Sequence, residues 1–252
     1  MTKILLHGCN GKVGQTIVRL IKDDDTLKLI AGIDPNINAA NEFPVFSTIA
    51  DCTLPADVII DFSTARAVRS LLEYAVDKNI PVVVCTTGLS NEDIDFLKQS
   101  SNKIPIFFSA NMSLGINLII ALAKRATEVL SDSSFDIEII EKHHNQKLDA
   151  PSGTALAIAD AINDTLDHAY SYRYDRTLTR EKRIKNEIGI HAVRGGTIVG
   201  EHEIIFAGND EVISLSHSAT SKEVFAVGAL KAAKFLANKM PGLYNMEHLL
   251  NS

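Results

Sequence analysis

The residues K-I-L-L-H-G-C-N-G-K-V-G, from Lys3 to Gly14, decide the fold that this chain can adopt. Lys3 to His7 is the apolar run of a short buried strand, and the glycines that follow lead into a helix pattern, Q-T-I-V-R-L-I. A second apolar run, Leu27 to Ile33, ends in Asp34, twenty positions after Gly14. Strand, glycine turn, helix, strand and acid in this order predict a dinucleotide-binding βαβ unit.

The glycine spacing is G-x-x-G-x-x-G rather than G-x-G-x-x-G, so a tight turn that binds nothing is the alternative interpretation. The position at the first strand and the acid in register favour the dinucleotide site, where glycines let a pyrophosphate approach backbone N–H groups. Asp34 can accept hydrogen bonds from the adenosine ribose. Pro35, Asn36 and Ile37 follow it where a 2′-phosphate would need Arg or Lys. The sequence therefore predicts a preference for NADH, with NADPH possible.

Apolar runs continue to alternate with helix patterns after this unit. The runs at 57–62, 80–85 and 104–108 are continuous and rich in β-branched or aromatic residues, which suits a parallel sheet covered on both faces. Their polar ends, D-F-S-T, T-T-G and S-A-N-M, would share the carboxyl edge, where a doubly wound fold binds its ligand. Ser63 and Ser90 are predicted to cap the helices that follow.

A second polar stretch, E-K-H-H-N-Q-K-L-D-A-P-S-G-T from Glu141 to Thr154, carries the candidate chemistry. Strand alternation sends the side chains of His143 and His144 to opposite faces. The helix that opens at P-S-G-T would offer N–H groups to an anion, and Lys147 adds a cation. These groups predict a site for a carboxylated substrate that also receives a proton. The alternative is a polar strand-to-helix loop without a ligand.

The rest of the chain predicts a second domain inserted into the first. A long apolar helix from Ser113 to Leu130 leads into it, and the polar stretch from Tyr170 to Asn186 is predicted to be an exposed loop. Strand runs at 188–193, 197–206 and 211–216 are predicted to be antiparallel neighbours, joined by R-G-G and A-G-N-D turns.

Thr220 and Glu223 have the spacing of a capping box for a last helix, which would return to cover the first sheet. The predicted fold is α/β, a Rossmann-type dinucleotide-binding domain with an inserted α+β domain. The predicted boundaries are 1–113 with 220–252 for the first domain and 114–219 for the second.

Composition excludes several classes of function. The formal charge of −6 argues against a nucleic-acid surface. Cys9, Cys52 and Cys85 are scattered and form no C-x-x-C pair, which predicts reduced thiols in a cytoplasmic protein. The sequence shows neither a leader-like start nor an apolar run that approaches about 18 residues. It therefore predicts no membrane segment. The side chains of the two adjacent histidines diverge, and no set of Cys, His or carboxylate residues at ligand spacing accompanies them. The sequence therefore predicts no metal site.

The run H-H-N-Q-K-L-D-A-P-S-G-T-A, from His143 to Ala155, resembles the signature of the 4-hydroxy-tetrahydrodipicolinate (dihydrodipicolinate) reductase family. The resemblance extends to G-C-N-G-K-V-G, C-T-T-G, S-A-N-M-S-L-G, R-G-G-T-I-V-G-E-H-E-I-I-F-A-G and P-G-L-Y-N-M. It covers the chain in order, except for the loop near Ala40 and the stretch from Tyr170 to Arg183. It implies NAD(P)H-dependent reduction of 4-hydroxy-tetrahydrodipicolinate to tetrahydrodipicolinate, in the diaminopimelate pathway of lysine biosynthesis.

The resemblance also implies roles for individual residues. His143 would be a proton donor or acceptor and Lys147 a proton donor, and either could deliver the proton to the substrate. His144 would contact the dicarboxylate substrate, and Gly153 and Thr154 would hold one of its carboxylates. The implied cofactor-binding residues are Gly8, Cys9, Asn10, Gly11, Lys12, Val13, Asp34, Cys85, Thr86, Thr87, Ser109, Ala110, Asn111 and Met112.

Two further implications rest on the resemblance alone. Cys85 stands where many family members have glycine, so its contact with the cofactor is expected from the backbone. The family tends to form homotetramers through the sheet of the inserted domain, which makes that domain one of substrate binding and oligomerisation.

Two other functions fit the same residues. One is a related nicotinamide-dependent dehydrogenase of an amino or sugar acid, which reduction of NAD⁺ with an amino acid would favour. The other is a nicotinamide-binding sensor without catalysis, which tight NADH binding without turnover would favour. His143 and Lys147 argue against a pure binder, because such a protein has no use for a proton donor.

Overall fold

The computed structural model describes residues 1–177 and 180–252. The chain divides into two compact units, Met1–Leu114 with Glu223–Ser252 (unit 1) and Gly115–Lys222 (unit 2). The boundaries predicted from the sequence lie within three residues of these divisions. The binding role of each unit stays a prediction.

The elements are numbered along the chain. The strands are β1 (Thr2–His7), β2 (Leu27–Ile33), β3 (Val45–Phe46), β4 (Val58–Asp61), β5 (Val82–Val84), β6 (Pro105–Phe108), β7 (Asp136–His143), β8 (Ser171–Arg173), β9 (Glu187–Arg194), β10 (Gly200–Ala207), β11 (Val212–Ala219) and β12 (Gly242–Tyr244). The helices are α1 (Lys12–Lys22), α2 (Ala65–Lys78), α3 (Asn91–Ser101), α4 (Leu114–Leu130), α5 (Gly153–Thr165), α6 (Glu223–Leu236) and α7 (Met246–Leu250).

Unit 1 is built on a seven-stranded sheet in the order β12-β6-β5-β4-β1-β2-β3, and all of its strand pairs are parallel. Alternation along β1 sends Ile4 and Leu6 into a core shared with α1 and α6, and Leu5 into a second core shared with α2 and α3. Burial on both faces explains why the strands are continuous apolar runs. The predicted Rossmann-type α/β architecture is confirmed.

Three local predictions in unit 1 were wrong or incomplete. The residue before α2 is Thr64, while the Ser63 hydroxyl donates to the Asp61 carboxylate instead of capping the helix. Helix α6 begins at Glu223, so this residue lies at the first helical position and not at the third, which a capping box with Thr220 requires. Strand β12 and helix α7 were not predicted. The capping of α3 by Ser90 is confirmed, with Asp93 completing a capping box.

Unit 2 contains a five-stranded mixed sheet in the order β11-β10-β7-β9-β8. The predicted antiparallel pairing of β10 with β11 is confirmed. The predicted pairing of β9 with β10 is wrong, because β7 lies between them and pairs with β9 in parallel and with β10 antiparallel. Ile137 and Ile139 of β7 face a core formed with α4 and α5, which leaves the other face of the sheet to alternate residues of each strand.

The polar stretch from Tyr170 to Asn186 is not simply an exposed loop. It contains β8, which pairs in parallel with β9. The Arg183 side chain is only 17% exposed, because it forms ion pairs with Asp136 and Glu138 of β7. The ion pairs of this mostly buried arginine therefore fasten part of the segment to the sheet. Residues 178 and 179 of the predicted loop lie outside the described residues.

Across residues 1–177 and 180–252, no helix combines the length and the apolar character needed to cross a bilayer.

Candidate active site

The implied cofactor residues of unit 1 follow the carboxyl ends of neighbouring parallel strands. Residues 8–13 follow β1, Asp34 follows β2, residues 85–87 follow β5 and residues 109–112 follow β6. Because all these strands run in the same direction, the four segments share one edge of the sheet. Gly11 is the residue before α1, so the first N–H groups of that helix, at Lys12 and Val13, lack intrahelical partners and can face a phosphate.

Two glycines of the loop have no room for a side chain. A Cβ added to Gly14 would lie 2.2 Å from the Gly8 carbonyl oxygen, and one added to Gly8 would lie 2.5 Å from the Phe62 carbonyl oxygen. Gly8 also has a φ of +80°, which favours glycine. The tight turn after β1 therefore depends on these glycines, and a dinucleotide pyrophosphate fits the cradle that they leave open.

Asp34 is held in place at the end of β2. One carboxylate oxygen accepts the N–H of Asn10 at 3.0 Å, and the other accepts the N–H of Asn36 at the same distance. The carboxylate is half-buried and still has lone pairs available for ribose hydroxyls. Beside it, burial first and then the charge of Asp34 raise the pKa of Cys9 to about 11, so the Cys9 thiol is neutral.

The segment after β5 is organised by a carboxylate that the sequence analysis did not single out. Asp61, fully buried at the end of β4, accepts a hydrogen bond from the Thr86 hydroxyl at 2.7 Å, and its Oδ1 lies 3.0 Å from Nδ1 of His7. The Cys85 N–H donates to the Asp61 carbonyl, so only the carbonyl oxygen of Cys85 is left for a backbone contact with a cofactor. Thr87 is the exposed residue of the predicted trio Cys85–Thr87.

The segment after β6 is also a closed turn. The Ser109 hydroxyl donates to the Asn111 carbonyl, and the Asn111 side-chain oxygen accepts the Ser113 N–H. Met112 is buried, whereas Ala110 is exposed at the edge. The turn is therefore rigid, and its backbone is the part that can meet a ligand.

In unit 2, β7 ends at His143, a residue that is 9% exposed. Its Nδ1 lies 2.6 Å from Oε2 of Glu141, two residues earlier on the same face of the strand. Glu141 is fully buried. A carboxylate can only accept, so Nδ1 carries the proton and Nε2 is the atom left for acid–base chemistry.

Arg194, at the end of the neighbouring strand β9, completes this arrangement. Its guanidinium donates to both oxygens of Glu141 at 2.7 Å and to the Asp149 carbonyl at 2.6 Å. Burial alone would raise the pKa of Glu141, but the hydrogen bonds from Arg194, His143 and the Ser152 N–H outweigh burial and lower it. Glu141 is therefore a carboxylate at neutral pH.

Lys147 lies in the loop between β7 and α5, with its side chain 22% exposed. Its Nζ is 2.8 Å from the Asp149 carboxylate. This contact, with help from the Gly153 N–H, lowers the pKa of Asp149. The loop thus brings one cation and the first turn of α5 to the same carboxylate.

Helix α5 begins at Gly153, within the P-S-G-T stretch where the sequence predicts the helix to open. Ser152 is the capping residue, and its hydroxyl accepts the Ala155 N–H at 3.1 Å. A Cβ added to Gly153 would meet no atom within 4 Å, so the space beside this residue is open. Thr154 is the second residue of the helix and, like His144 just after β7, is half-buried. One loop therefore carries Lys147 and is bounded by His143 at the end of β7 and by Gly153 and Thr154 at the start of α5.

His202 of β10 is a further histidine beside this loop. It is 4% exposed, its Nε2 is 3.2 Å from the Ser152 hydroxyl, and its ring packs edge-on against His143 with centroids 5.3 Å apart. Burial first and then the neighbouring His143 lower the pKa of His202 to about 4. His202 is therefore neutral at neutral pH and supports the capping residue without adding charge.

Sequence reasoning missed Glu141, Arg194, His202 and Asp61. One signal was present for Glu141, because a residue two positions before His143 on a strand must share its face. The contact of Arg194 with Glu141 spans 53 residues and that of His202 with Ser152 spans 50. Both depend on the pairing of β7 with β9 and β10, which periodicity does not reveal.

Comparison with known proteins identifies the family of the chain. Models of the N-terminus and the C-terminus of dihydrodipicolinate reductase match residues 2–112 and 115–250. A 4-hydroxy-tetrahydrodipicolinate reductase of Caldanaerobacter subterraneus subsp. tengcongensis is 55% identical over 250 residues, which cover 99% of this chain and 98% of the relative. A second, from Clostridium tetani, is 50% identical over 252 residues, 100% of this chain and 98% of the relative.

A solved structure extends the comparison to the fold. The dipicolinate-bound dihydrodipicolinate reductase of Paenisporosarcina sp. TG-14 superposes with a TM-score of 0.82 at 27% identity, covering 97% of each chain. The two family models together with these relatives account for almost every residue. The chain therefore belongs to the dihydrodipicolinate reductase family.

Proposed function

We infer that the protein reduces 4-hydroxy-tetrahydrodipicolinate to tetrahydrodipicolinate with NADH or NADPH, in the diaminopimelate route to lysine. The observation that carries this function is the loop between β7 and α5. It holds an imidazole oriented by Glu141, the Lys147 ammonium and the start of α5 together. This set suits a dicarboxylate that accepts a hydride and a proton.

Each residue of this loop has its own proposed role in binding or proton transfer. The N–H groups at the start of α5, at Gly153 and Thr154, hold one substrate carboxylate, with His144 beside it. A reduced nicotinamide, when bound, supplies the hydride, and negative charge then develops on the substrate. The Lys147 cation offsets that charge, since a group already in place needs no reorganisation, and donates the proton. His143, through Nε2, is the second group able to exchange a proton. The substrate hydroxyl and a proton from the neighbouring carbon leave as water, so that one hydride and one proton are added overall, and NAD(P)⁺ is released.

The decisive test is a coupled assay in which the preceding synthase generates the unstable substrate from pyruvate and aspartate semialdehyde. Synthase-dependent oxidation of NADH or NADPH by the purified protein is the expected result. Binding of NADH without such oxidation would point to the sensor, and NAD⁺ reduction with an amino acid would point to the related dehydrogenase. Omission of the synthase is the control.

We propose that NADH is the preferred cofactor because of Asp34. Its carboxylate is held at the end of β2 by the N–H groups of Asn10 and Asn36, where it can bind ribose hydroxyls and repel a 2′-phosphate. Asp34→Ser is expected to lower the NADH/NADPH ratio of kcat/KM by about tenfold, which corresponds to about 1.4 kcal/mol. Steady-state kinetics with both cofactors measure this ratio.

Asp57→Ser is the matched control for Asp34→Ser. The Asp57 carboxylate also accepts a backbone N–H, that of Lys3 at 2.7 Å, but at the amino edge of the same sheet. The NADH/NADPH ratio of kcat/KM in Asp57→Ser should equal that of the wild type. An unchanged ratio in Asp34→Ser itself would remove Asp34 from cofactor selection.

We propose that the protein is a homotetramer that assembles through the open face of the unit 2 sheet. That face, opposite the α4/α5 core, carries apolar side chains, including half-buried Ile140 and exposed Val193 and Val212. Sedimentation should give four times the 27.4 kDa chain mass. Ile140→Asp should yield smaller species, whereas Val129→Asp, on exposed α4 surface, should not. A monomeric wild type would contradict the proposal.

We also propose a cytoplasmic location, because Cys9, Cys52 and Cys85 are all unpaired and buried.

A further inference from the structure

We propose that Glu141 is a positioning residue of this site: its carboxylate fixes both the proton on His143 and the start of α5. The proposal rests on the proposed function, since it assigns a role within the same reaction. Glu141 itself does not face the substrate, because it is fully buried on the core face of β7.

The first observation is that one carboxylate joins three parts of the site. Oε2 lies 2.6 Å from Nδ1 of His143, Oε1 accepts the Ser152 N–H at 2.9 Å, and both oxygens accept from Arg194. Ser152 is the capping residue of α5. Glu141 therefore holds the imidazole and the anion-binding end of the helix at a fixed separation.

The second observation concerns the other side of the imidazole. A Cβ added to Gly200, on neighbouring β10, would lie 3.1 Å from Nε2 of His143. Glycine at this position keeps the surroundings of Nε2 open, while the Glu141 contact prevents the ring from turning over. The ring is thus set with Nδ1–H inward and Nε2 toward the space beside Gly200.

The charges around the pair favour this arrangement. Arg194 on β9 neutralises the carboxylate, and His202 on β10 is uncharged at neutral pH. Lys147 in the loop is compensated by Asp149. Glu141 is the carboxylate in direct contact with the His143 ring, so it is the group that holds the proton on Nδ1.

The test is Glu141→Gln, which keeps the shape of the side chain and removes its charge. We expect kcat to fall by about 10- to 1,000-fold, as for other carboxylates that orient a functional histidine, with NADH affinity within about twofold of wild type. The Nδ1–H tautomer of His143, followed by ¹⁵N NMR, should lose its preference in this variant, because an amide side chain can donate to Nδ1 as well as accept from it. A merely structural role would leave the tautomer unchanged.

A double-mutant cycle separates action through His143 from an independent effect. In a His143→Asn background, Glu141→Gln should lower kcat by less than about twofold further. Full multiplication of the two effects would overturn the proposal, as would wild-type kcat in the single variant. Loss of synthase-dependent turnover in the wild type would instead defeat the proposed function itself.

Glu138→Gln is the matched control. Glu138 lies on the same strand and is also bonded to an arginine and a histidine, Arg183 and His191, but it faces the opposite side of the sheet. Its kcat and its His143 tautomer should equal those of the wild type.

A measurement on the wild-type protein keeps the proposal falsifiable if Glu141→Gln does not fold. ¹⁵N NMR of the eight histidines, with His143 assigned from the spectrum of His143→Asn, reports which ring nitrogen carries the proton. The expected form at neutral or higher pH is the Nδ1–H tautomer. An Nε2–H tautomer would overturn the proposal.

Discussion

Replacing Lys147 with alanine should lower turnover by about 10²–10⁴-fold, the contribution of a positioned general acid. Lys147 is the cation of the loop between β7 and α5, and its side chain is mostly buried. Without it, the charge that develops on the substrate loses its partner, and the proton must come from His143 or water. NADH affinity should remain within about twofold, because the proposed cofactor residues all lie in unit 1. Coupled kinetics and NADH titration measure the two quantities.

Two further variants sharpen this test. Lys147→Arg keeps the positive charge but holds its proton too tightly to donate it, so KM should stay near the wild-type value while kcat falls. Lys234→Ala is the control, because Lys234 is also paired with an aspartate, Asp24. Asp24 follows the end of α1 that is opposite the glycine-rich start of the helix, so turnover should not change. Near-normal turnover in Lys147→Ala would exclude Lys147 as the acid.

Replacing Gly14 with alanine is expected to weaken NADH binding by more than about tenfold and to lower the free energy of unfolding by roughly 1–3 kcal/mol. The added Cβ would lie 2.2 Å from the Gly8 carbonyl oxygen and 2.7 Å from that of Cys9. Both atoms belong to the backbone, so the turn must open, and the N–H groups that face the pyrophosphate must move with it. Chemical denaturation and NADH fluorescence measure the two effects.

Gly242→Ala provides the control for Gly14→Ala. Gly242 begins β12 in the same sheet, and a Cβ there would lie no closer than 3.5 Å to any neighbouring atom. NADH affinity should not change in this variant. Wild-type affinity in Gly14→Ala would show that the turn is not the dinucleotide cradle.

Unit 1 could be predicted from the sequence because its signals are local. Continuous apolar runs, a glycine turn and an acid in register lie within 34 residues, and β2 has the predicted bounds, Leu27–Ile33. The errors came from choices between adjacent residues, such as Ser63 and Thr64, where a nearby carboxylate, Asp61, competes for the hydroxyl. Strand β12 is three residues long, and more than half of the chain separates it from its partner β6. No local sequence pattern therefore predicts it.

The strand order of unit 2 was harder to predict from the sequence, because it too depends on pairing between strands that are distant in the chain. Sequence neighbours suggested a hairpin of β9 and β10, but β7 takes the place between them. That insertion brings Arg194 and His202 to either side of Glu141. The residues proposed to touch a ligand stood out by their chemistry, whereas those that hold them in place depend on contacts between distant strands.

If the substrate binds at Lys147 as proposed, the ion pair of Lys147 with Asp149 makes substrate capture an exchange of anions. Asp149 is 57% exposed, and a pair of this kind contributes only about 0.2–1 kcal/mol, so an incoming carboxylate can displace it readily. Any single anion that displaces Asp149 replaces one ion pair with another, so phosphate, chloride and other abundant ions gain little net free energy by binding there. A second carboxylate, which simple anions lack, then becomes the feature that admits the substrate.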